Sequence, residues 1–443
     1  MNSSLVSRAI ENHTAFDAEA ARLRRLFLIR EDVTFLNHGS FGACSRPVFE
    51  RYQWWQREAE TQLVEFHVRR APALLKEARA ALGAYLNVDA DDLVYVTNAT
   101  VGVNIVAHSL DLGPDDEILA GNHEYGACVR MWRFLCRQSG ARYREFDIPV
   151  PVTSHEDIVE RFLEQVTPAT RVIFLSHITA PTALILPVEE ICRRARELGI
   201  ITIVDGAHAP GQIDLDLERI GADFYTGNLH KWLCAPKGAA FLHARPERQS
   251  LLKPLVVSWG EELSFPSSSD FINHHEYRGT REISAPLSVP DAIAFQQEQD
   301  WPRVRARCHE MLGLARPILA DLLGAIPITP DSSEWYGQMC ALLLPESIDG
   351  ARLKTLLYDE YRVEIPVFAW NGRETLRVSM QGYNGWSDLE RLFEAIEALL
   401  PRVVRGNGTR ERSQESEVRS QNNARTIHEV EGGESRTSDD IGC

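Results

Sequence analysis

Two stretches decide the fold: VDGAHAPGQ at 204–212 and FYTGNLHKWLCAPKGAAFL at 224–242. Each opens on a short run of β-branched and aromatic residues, as a buried strand does. Each then breaks into small and polar residues. The first run, IITIVD, ends on Asp205, and a Gly-Ala-His turn follows. The second ends on Asn228 and is followed by His230-Lys231 and a Gly/Pro loop. Two apolar strands whose carboxyl ends carry an acid and a lysine describe a ligand site on an α/β sheet, because such sheets bind ligands beyond the carboxyl ends of their strands.

The pattern extends outward from there. LVYVT (93–97), EILAG (117–121), RVIFLS (171–176) and AAFLHA (239–244) are further short apolar runs. Amphipathic helical periodicity separates them, clearest in EEICRRARELGI at 189–200. Strands alternating with helices predict βαβ units and a mostly parallel central sheet with helices on both faces. The unusual polar residues follow the strands: TNAT, HEYG, SHIT and DGAH. Past residue 290 the texture changes to a long helix over roughly 287–323, strands at CALLLPE (340–346), VEIPVF (363–368) and TLRVSM (375–380), and a last helix at 386–400. The reading is four parts: a polar and helical lead over 1–30, with its helix near Phe16–Leu28; a large domain over 31–290; a smaller α+β domain over 291–404; and a tail over 405–443. The tail holds six arginines, eight acids and almost no large apolar residues, so it is expected to be disordered.

Composition bounds the partners. A net charge of −16 without any Lys/Arg-rich run argues against nucleic acid or an anionic membrane. The eight cysteines have neither CxxC nor metal-ligand spacing, which fits free thiols, a reducing compartment and no metal. No apolar signal core or bilayer-length run is present, so a cytoplasmic location is expected by default.

The acid and the lysine are the parts that pyridoxal 5'-phosphate (PLP) chemistry requires. A lysine must carry the cofactor, an acid must keep the pyridine nitrogen protonated, and small residues with a helix N-terminus must take the phosphate. With these motifs in this order, the chain over about 30–400 resembles the class V aminotransferase family of fold type I, in its isopenicillin N epimerase-like and cysteine desulfurase-like branch. The resemblance implies that Lys231 carries PLP as a Schiff base and moves the α-proton, and that Asp205 faces the pyridine nitrogen. It places His208 near the ring face or its 3-hydroxyl and stacks Tyr125, of NHEYGA, on the ring. Ala99 and Thr100 would bind phosphate by backbone N–H and hydroxyl, with Asn228 and His230 adding contacts, and Thr179 would face the 3-hydroxyl. Thr280, in EYRGTRE, would touch the phosphate of a second subunit, which implies a homodimer with shared sites. Arg377 would hold the substrate α-carboxylate, and Asn37 and His38, in FLNHGSFG, would approach the substrate.

The same residues bear on the reaction. Desulfuration requires a nucleophilic cysteine on a loop shortly before the carboxylate arginine, and no cysteine lies between Ala341 and Gly442. Epimerisation of an amino acid requires a second acid/base, for which Tyr125 and His208 are candidates. β-Elimination from a cysteine derivative requires only Lys231 and a sulfur leaving group. Transamination stays open, and so does a PLP-fold binding protein that has lost catalysis, although Lys231, Asp205 and Arg377 are all present.

Overall fold

The structure, a computed structural model, describes residues 3–261, 267 and 269–405, with side chains from residue 14. The expectation of a disordered tail thus lies, but for Arg405, outside the described residues.

Seven strands form the main sheet: β1 Leu93–Val96, β2 Glu117–Gly121, β3 Arg142–Phe146, β4 Thr170–Ser176, β5 Ile201–Asp205, β6 Phe224–Asn228 and β7 Ala240–Ala244. Their order is β1-β7-β6-β5-β4-β2-β3. Only β7 runs against the rest, pairing antiparallel with both β1 and β6. The sheet has two apolar faces. On β4, Val172 and Phe174 join one core while Ile173 and Leu175 join the other; on β5, Ile203 and Val204 divide the same way. Side chains alternate across a strand, so strands covered on both faces are apolar throughout, which is why these runs lack polar alternation.

The edge strand β3 escaped the sequence reading. Its residues, RYREF, are charged and partly exposed, and among the described residues no strand pairs its outer side. Charges on an edge discourage pairing with other chains. Arg144 on β3 binds Glu117 on β2 at 2.9 Å, so part of the pairing is electrostatic.

A second sheet, all antiparallel, contains β8 Ile326–Pro327, β9 Met339–Leu343, β10 Val367–Trp370 and β11 Arg373–Ser379 in the order β10-β11-β9-β8. The expected strand at 363–368 is two short pieces, because Pro366 lacks the N–H that a continuous ladder uses. Its first piece, Val363–Glu364, pairs in parallel with Thr34–Phe35, and Asn37 bridges to Ser379. This stitching lays the 37–42 turn over the carboxyl ends of the main sheet. The long helix expected from 287 is three: Ser284–Leu287, Val289–Glu298 and Trp301–Leu323. The second break falls at Asp300, whose φ of 49° is left-handed. The N-terminal helix spans Ser3–Arg24, starting earlier than its apolar stripe.

Candidate active site

The carboxyl ends of β1, β4, β5 and β6 converge on a cleft of about 360 Å³, within the range of small-molecule sites. Lys231 sits just past β6 and Asp205 ends β5. The glycine after Asp205 is required: a Cβ on Gly206 would lie 2.3 Å from the Tyr225 hydroxyl. Gly42 is required as well, with φ of +68° and a would-be Cβ 2.6 Å from Lys231 Cα. The 37–42 turn therefore presses directly on the lysine backbone.

Lys231 Nζ lies 3.1 Å from His208 Nε2, and the Trp232 indole N–H donates to His208 Nδ1 at 3.3 Å. An indole nitrogen only donates, so His208 is protonated on Nε2 and donates to the lysine nitrogen. That nitrogen can accept only as a free amine. Electrostatics works in the same direction: desolvation, and then the Arg377 charge, bring the Lys231 pKa down to about 7, which populates the free amine at neutral pH. His208 is held well below its ordinary value by burial and by the lysine.

Asp205 is buried. Its Oδ1 accepts from the Ala207 N–H at 3.0 Å, whereas its Oδ2 meets only the Cys128 thiol at 3.7 Å. A thiol is a weak donor, so Oδ2 keeps the capacity to accept from a ring N–H. Burial raises the Asp205 pKa, and the Ala207 N–H and the Lys231 charge oppose that rise.

Arg377 is 1% exposed. It donates from Nη1 to the Ala180 carbonyl at 2.6 Å and from Nη2 to Ser40 Oγ at 3.3 Å. Among the described residues no carboxylate pairs with it, and desolvation brings its pKa down to about 9. An unpaired buried guanidinium is costly, and it is suited to a carboxylate that arrives with the ligand.

Comparison with known proteins gives the family. Residues 50–392 match the Aminotransferase class-V family. The chain belongs to the class V aminotransferases. It is 39% identical to an isopenicillin N epimerase of Streptomyces clavuligerus over 393 residues, 86% of this chain and 98% of that one. It is 31% identical to a putative L-cysteine desulfhydrase 1 of Oryza sativa subsp. japonica, over 86% of each chain. Its fold matches the crystal structure of the cysteine desulfurase CsdA from Escherichia coli with a TM-score of 0.73 at 22% identity, covering 87% of this chain and 99% of that one.

Members of the class V family are PLP enzymes, and the cleft fits that cofactor: its lining includes the Lys231 amine, an unspent oxygen of the Asp205 carboxylate and the N-terminus of the helix Ala99–Ser109. Tyr125, 47% exposed, lines the cleft as an accessible ring. His230 lines the cleft, and its Nδ1 is buried without a hydrogen-bond partner among the described residues. Burial brings the His230 pKa down to about 4.

Some sequence expectations are corrected. The Ala99 N–H donates to Asn228 Oδ1 at 2.8 Å, and Asn98 Oδ1 caps Val101 at 2.9 Å. Asn228 Oδ1 therefore holds the helix end through the Ala99 N–H, while Asn228 itself lines the cleft beside Thr100. Thr179 does not line the cleft. Its hydroxyl accepts from the Leu184 N–H at 2.8 Å and pairs with Thr182 at 2.7 Å, closing a loop of its own. His38 is turned away: it binds the Tyr383 hydroxyl at 2.9 Å and the Lys231 carbonyl at 3.0 Å, and burial brings its pKa down to about 3. Asn37 is likewise buried, with its amide donating to Glu364 at 3.2 Å. The turn faces the cleft through Ser40 and Phe41 instead. Thr280 lies outside this cleft, beside a separate groove with Phe66 and His67.

Residues that the sequence reading passed over are Ser176, Lys237 and Glu124. Ser176 and Lys237 line the cleft. Glu124 accepts from Ser176 Oγ at 2.6 Å, and burial pushes its pKa up to about 8. The available signals were position alone, next to Tyr125 and in the CAPKG loop.

Proposed function

We propose that this chain is an isopenicillin N epimerase-like enzyme that removes the α-proton of an amino acid and returns a proton to either face. The observation that carries the reading is Lys231 in the cleft with the unpaired, buried Arg377 held against two residues of its lining, Ala180 and Ser40. Bound PLP supplies the electron sink that makes the α-proton acidic, and the residues do the rest. Lys231 holds the cofactor and moves the proton at Cα. Asp205 accepts a hydrogen bond from the ring nitrogen through Oδ2. Thr100 and His230 take the phosphate. Arg377 fixes the α-carboxylate, which orients the Cα–H bond toward Lys231.

Epimerisation needs a second proton donor. His208 touches Lys231 itself, so it serves the lysine's side of the site. Tyr125 is the better candidate for the other side, because it lines the cleft, makes no contact with Lys231 among the described residues and carries a proton at neutral pH. The similarity to desulfhydrases supports β-elimination as the second reading. Desulfuration has less support: Cys340, the cysteine nearest before Arg377, is buried on β9, and burial raises its thiol pKa to about 12. A homodimer is also proposed, with Thr280 reaching the partner's cleft, and so is a reducing, cytoplasmic compartment, supported by seven free cysteines among the described residues.

Proton NMR of the PLP-loaded protein in D2O with a panel of L-amino acids tests the reading. The expected result is α-deuterium incorporation with growth of the D-isomer, abolished in Lys231→Ala. Release of pyruvate and sulfide from cysteine would replace epimerisation by C–S cleavage. Exchange that survives Lys231→Ala would remove the lysine from its role.

A further inference from the structure

Glu124 is a buried acid that the chemistry above leaves without a task. It is 7% exposed, and among the described residues no cation pairs with it. The charged groups that face it are carboxylates: Asp205 at the end of β5 and Glu145 on the edge strand β3. Its other titratable neighbours are Cys128, on the helix Gly126–Ser139, and Tyr143 on β3. Arg133, from the same helix, is taken up by Glu145 at 3.8 Å. Burial, and then those two carboxylates, push the Glu124 pKa up to about 8, so it carries a proton at neutral pH.

One contact links this acid to the cleft. Glu124 Oε2 lies 2.6 Å from Ser176 Oγ, an ordinary O–H···O separation. Ser176 lines the cleft and stands in register with Asp205 on the neighbouring strand, so the two side chains leave the same face of the sheet. Glu124 Oε1 is buried without a partner among the described residues. An acid proton on Oε1 would therefore lack an acceptor, whereas on Oε2 it has Ser176 Oγ. A serine hydroxyl holds one hydrogen and two lone pairs. Two hydrogens cannot share one O···O contact, so while the acid donates, the serine hydrogen turns to the cleft. Once the acid is ionised, the carboxylate takes that hydrogen, and the cleft meets only a serine lone pair.

We infer that Glu124 is a positioning residue that sets the polarity of Ser176: with Glu124 neutral, Ser176 donates a hydrogen bond to the cofactor ring, and with Glu124 ionised it cannot. This rests on the seating of PLP against Lys231 and Asp205 and adds a contact to it. The ring nitrogen gives its hydrogen to Asp205, so the acceptor left on the ring is its 3-oxygen. Thr179, which was expected to meet that oxygen, closes a loop of its own, and Ser176 is the hydroxyl of the 176–179 segment that lines the cleft.

The test uses pyridoxine 5'-phosphate, which keeps the ring, the 3-oxygen and the phosphate but has no carbonyl for Lys231. Its affinity for the cofactor-free protein is measured by calorimetry on both sides of pH 8 for the wild type, Glu124→Gln, Ser176→Ala and the double variant. The ratio of wild type to Glu124→Gln removes the titrations of the probe and of Lys231, which both proteins share. Glutamine offers Ser176 an N–H at every pH. The two should therefore bind alike below about pH 8, and the wild type should fall behind by about fivefold or more above it. Without the Ser176 hydroxyl that fall should vanish. The sign separates this from a simple charge effect, because an ionised Glu124 acting through its charge alone would tighten a cationic ring. A wild type that gains on the glutamine variant above pH 8 would overturn the inference, and so would a flat ratio or a fall that persists in Ser176→Ala. Infrared spectra of the wild type should also show a protonated-carboxyl band that is lost as pH passes about 8. Absence of such a band would overturn the inference even if the glutamine variant does not fold. The seating fails separately: probe affinity indifferent to Asp205→Asn removes the ring from Asp205, whatever Glu124 does.

Discussion

Lys231 is the residue on which sequence, geometry and electrostatics meet. An exposed lysine attacks a carbonyl slowly at neutral pH because it is almost wholly protonated. Here burial and Arg377 bring the pKa to about 7, so the free amine is well populated. The rate of PLP attachment to the cofactor-free protein should rise with pH through about 7 and then level off. Stopped-flow absorbance across pH 5–10 checks this, and a rise continuing toward the ordinary lysine value near 10.4 would contradict it. The same shift has a stability consequence of definite sign. The folded-state pKa lies below the unfolded one, so between about pH 7 and the ordinary lysine value the unfolded chain binds more protons and stability rises with pH. Below pH 7 the penalty is present in full. Lys231→Met should therefore raise the Tm of the cofactor-free protein, with a larger gain at pH 6 than at pH 9. Tyr125 gives a prediction of a different kind. Tyr125→Phe keeps the ring and removes the phenolic proton, so α-deuterium exchange should continue while formation of the D-isomer falls by at least tenfold. Equal losses of both would show that the hydroxyl serves the first proton transfer.

At the level of elements, the 37–42 turn does more than the sequence suggested. His38 joins Tyr383, Lys231 and, through Gln381 at 3.1 Å, the turn after β11. Its removal leaves the Tyr383 hydroxyl without its imidazole partner in the interior, while the Lys231 carbonyl keeps the Cys234 N–H at 3.2 Å. His38→Ala should cost roughly 1–3 kcal/mol, the range for one buried group left unmade. Urea denaturation measures this, and a cost below about 1 kcal/mol would mean that water replaces the imidazole. The misreading of His38 shows where sequence reading stops. Strand endings were legible because burial on both faces forces apolar runs, and a polar residue ending such a run stands out, as Asp205 and Asn228 do. The direction of a side chain in a turn is set by tertiary partners far along the chain. His38 answers to Tyr383 and Asn37 to Glu364, and no local pattern records either pairing. Thr179 fails for the related reason that its partners, Thr182 and Leu184, close a loop whose shape the spacing does not reveal. The role expected of Arg377 came from its place in the family motif, and its burial on β11 is what the structure adds.

For the whole molecule, the placement of Thr280 has consequences for assembly. It lies on an exposed segment beside Phe66 and His67, apart from the Lys231 cleft of its own chain. The segment is nonetheless well anchored: Glu276 pairs with the buried Arg79 at 2.6 Å, and Arg281 donates to the Glu276 carbonyl at 3.2 Å. Removing one partner of a buried pair such as Arg79–Glu276 typically costs about 3–5 kcal/mol, so the anchor holds the loop in a fixed pose. A rigid exposed loop that contributes nothing to its own site is suited to complete another copy's site. If two copies share sites in this way, a mixed dimer of Lys231→Ala with a Thr280→Arg chain, each inactive alone, contains one site with both defects and one with neither. Reassembling an equal mixture should then recover about a quarter of wild-type exchange activity, since half the dimers are mixed and each has one intact site. Sedimentation would show the dimer, and D2O exchange would show the recovery. A mixture as inactive as its components, in a protein that does sediment as a dimer, would confine each site to a single chain and leave Thr280 without a role in the chemistry.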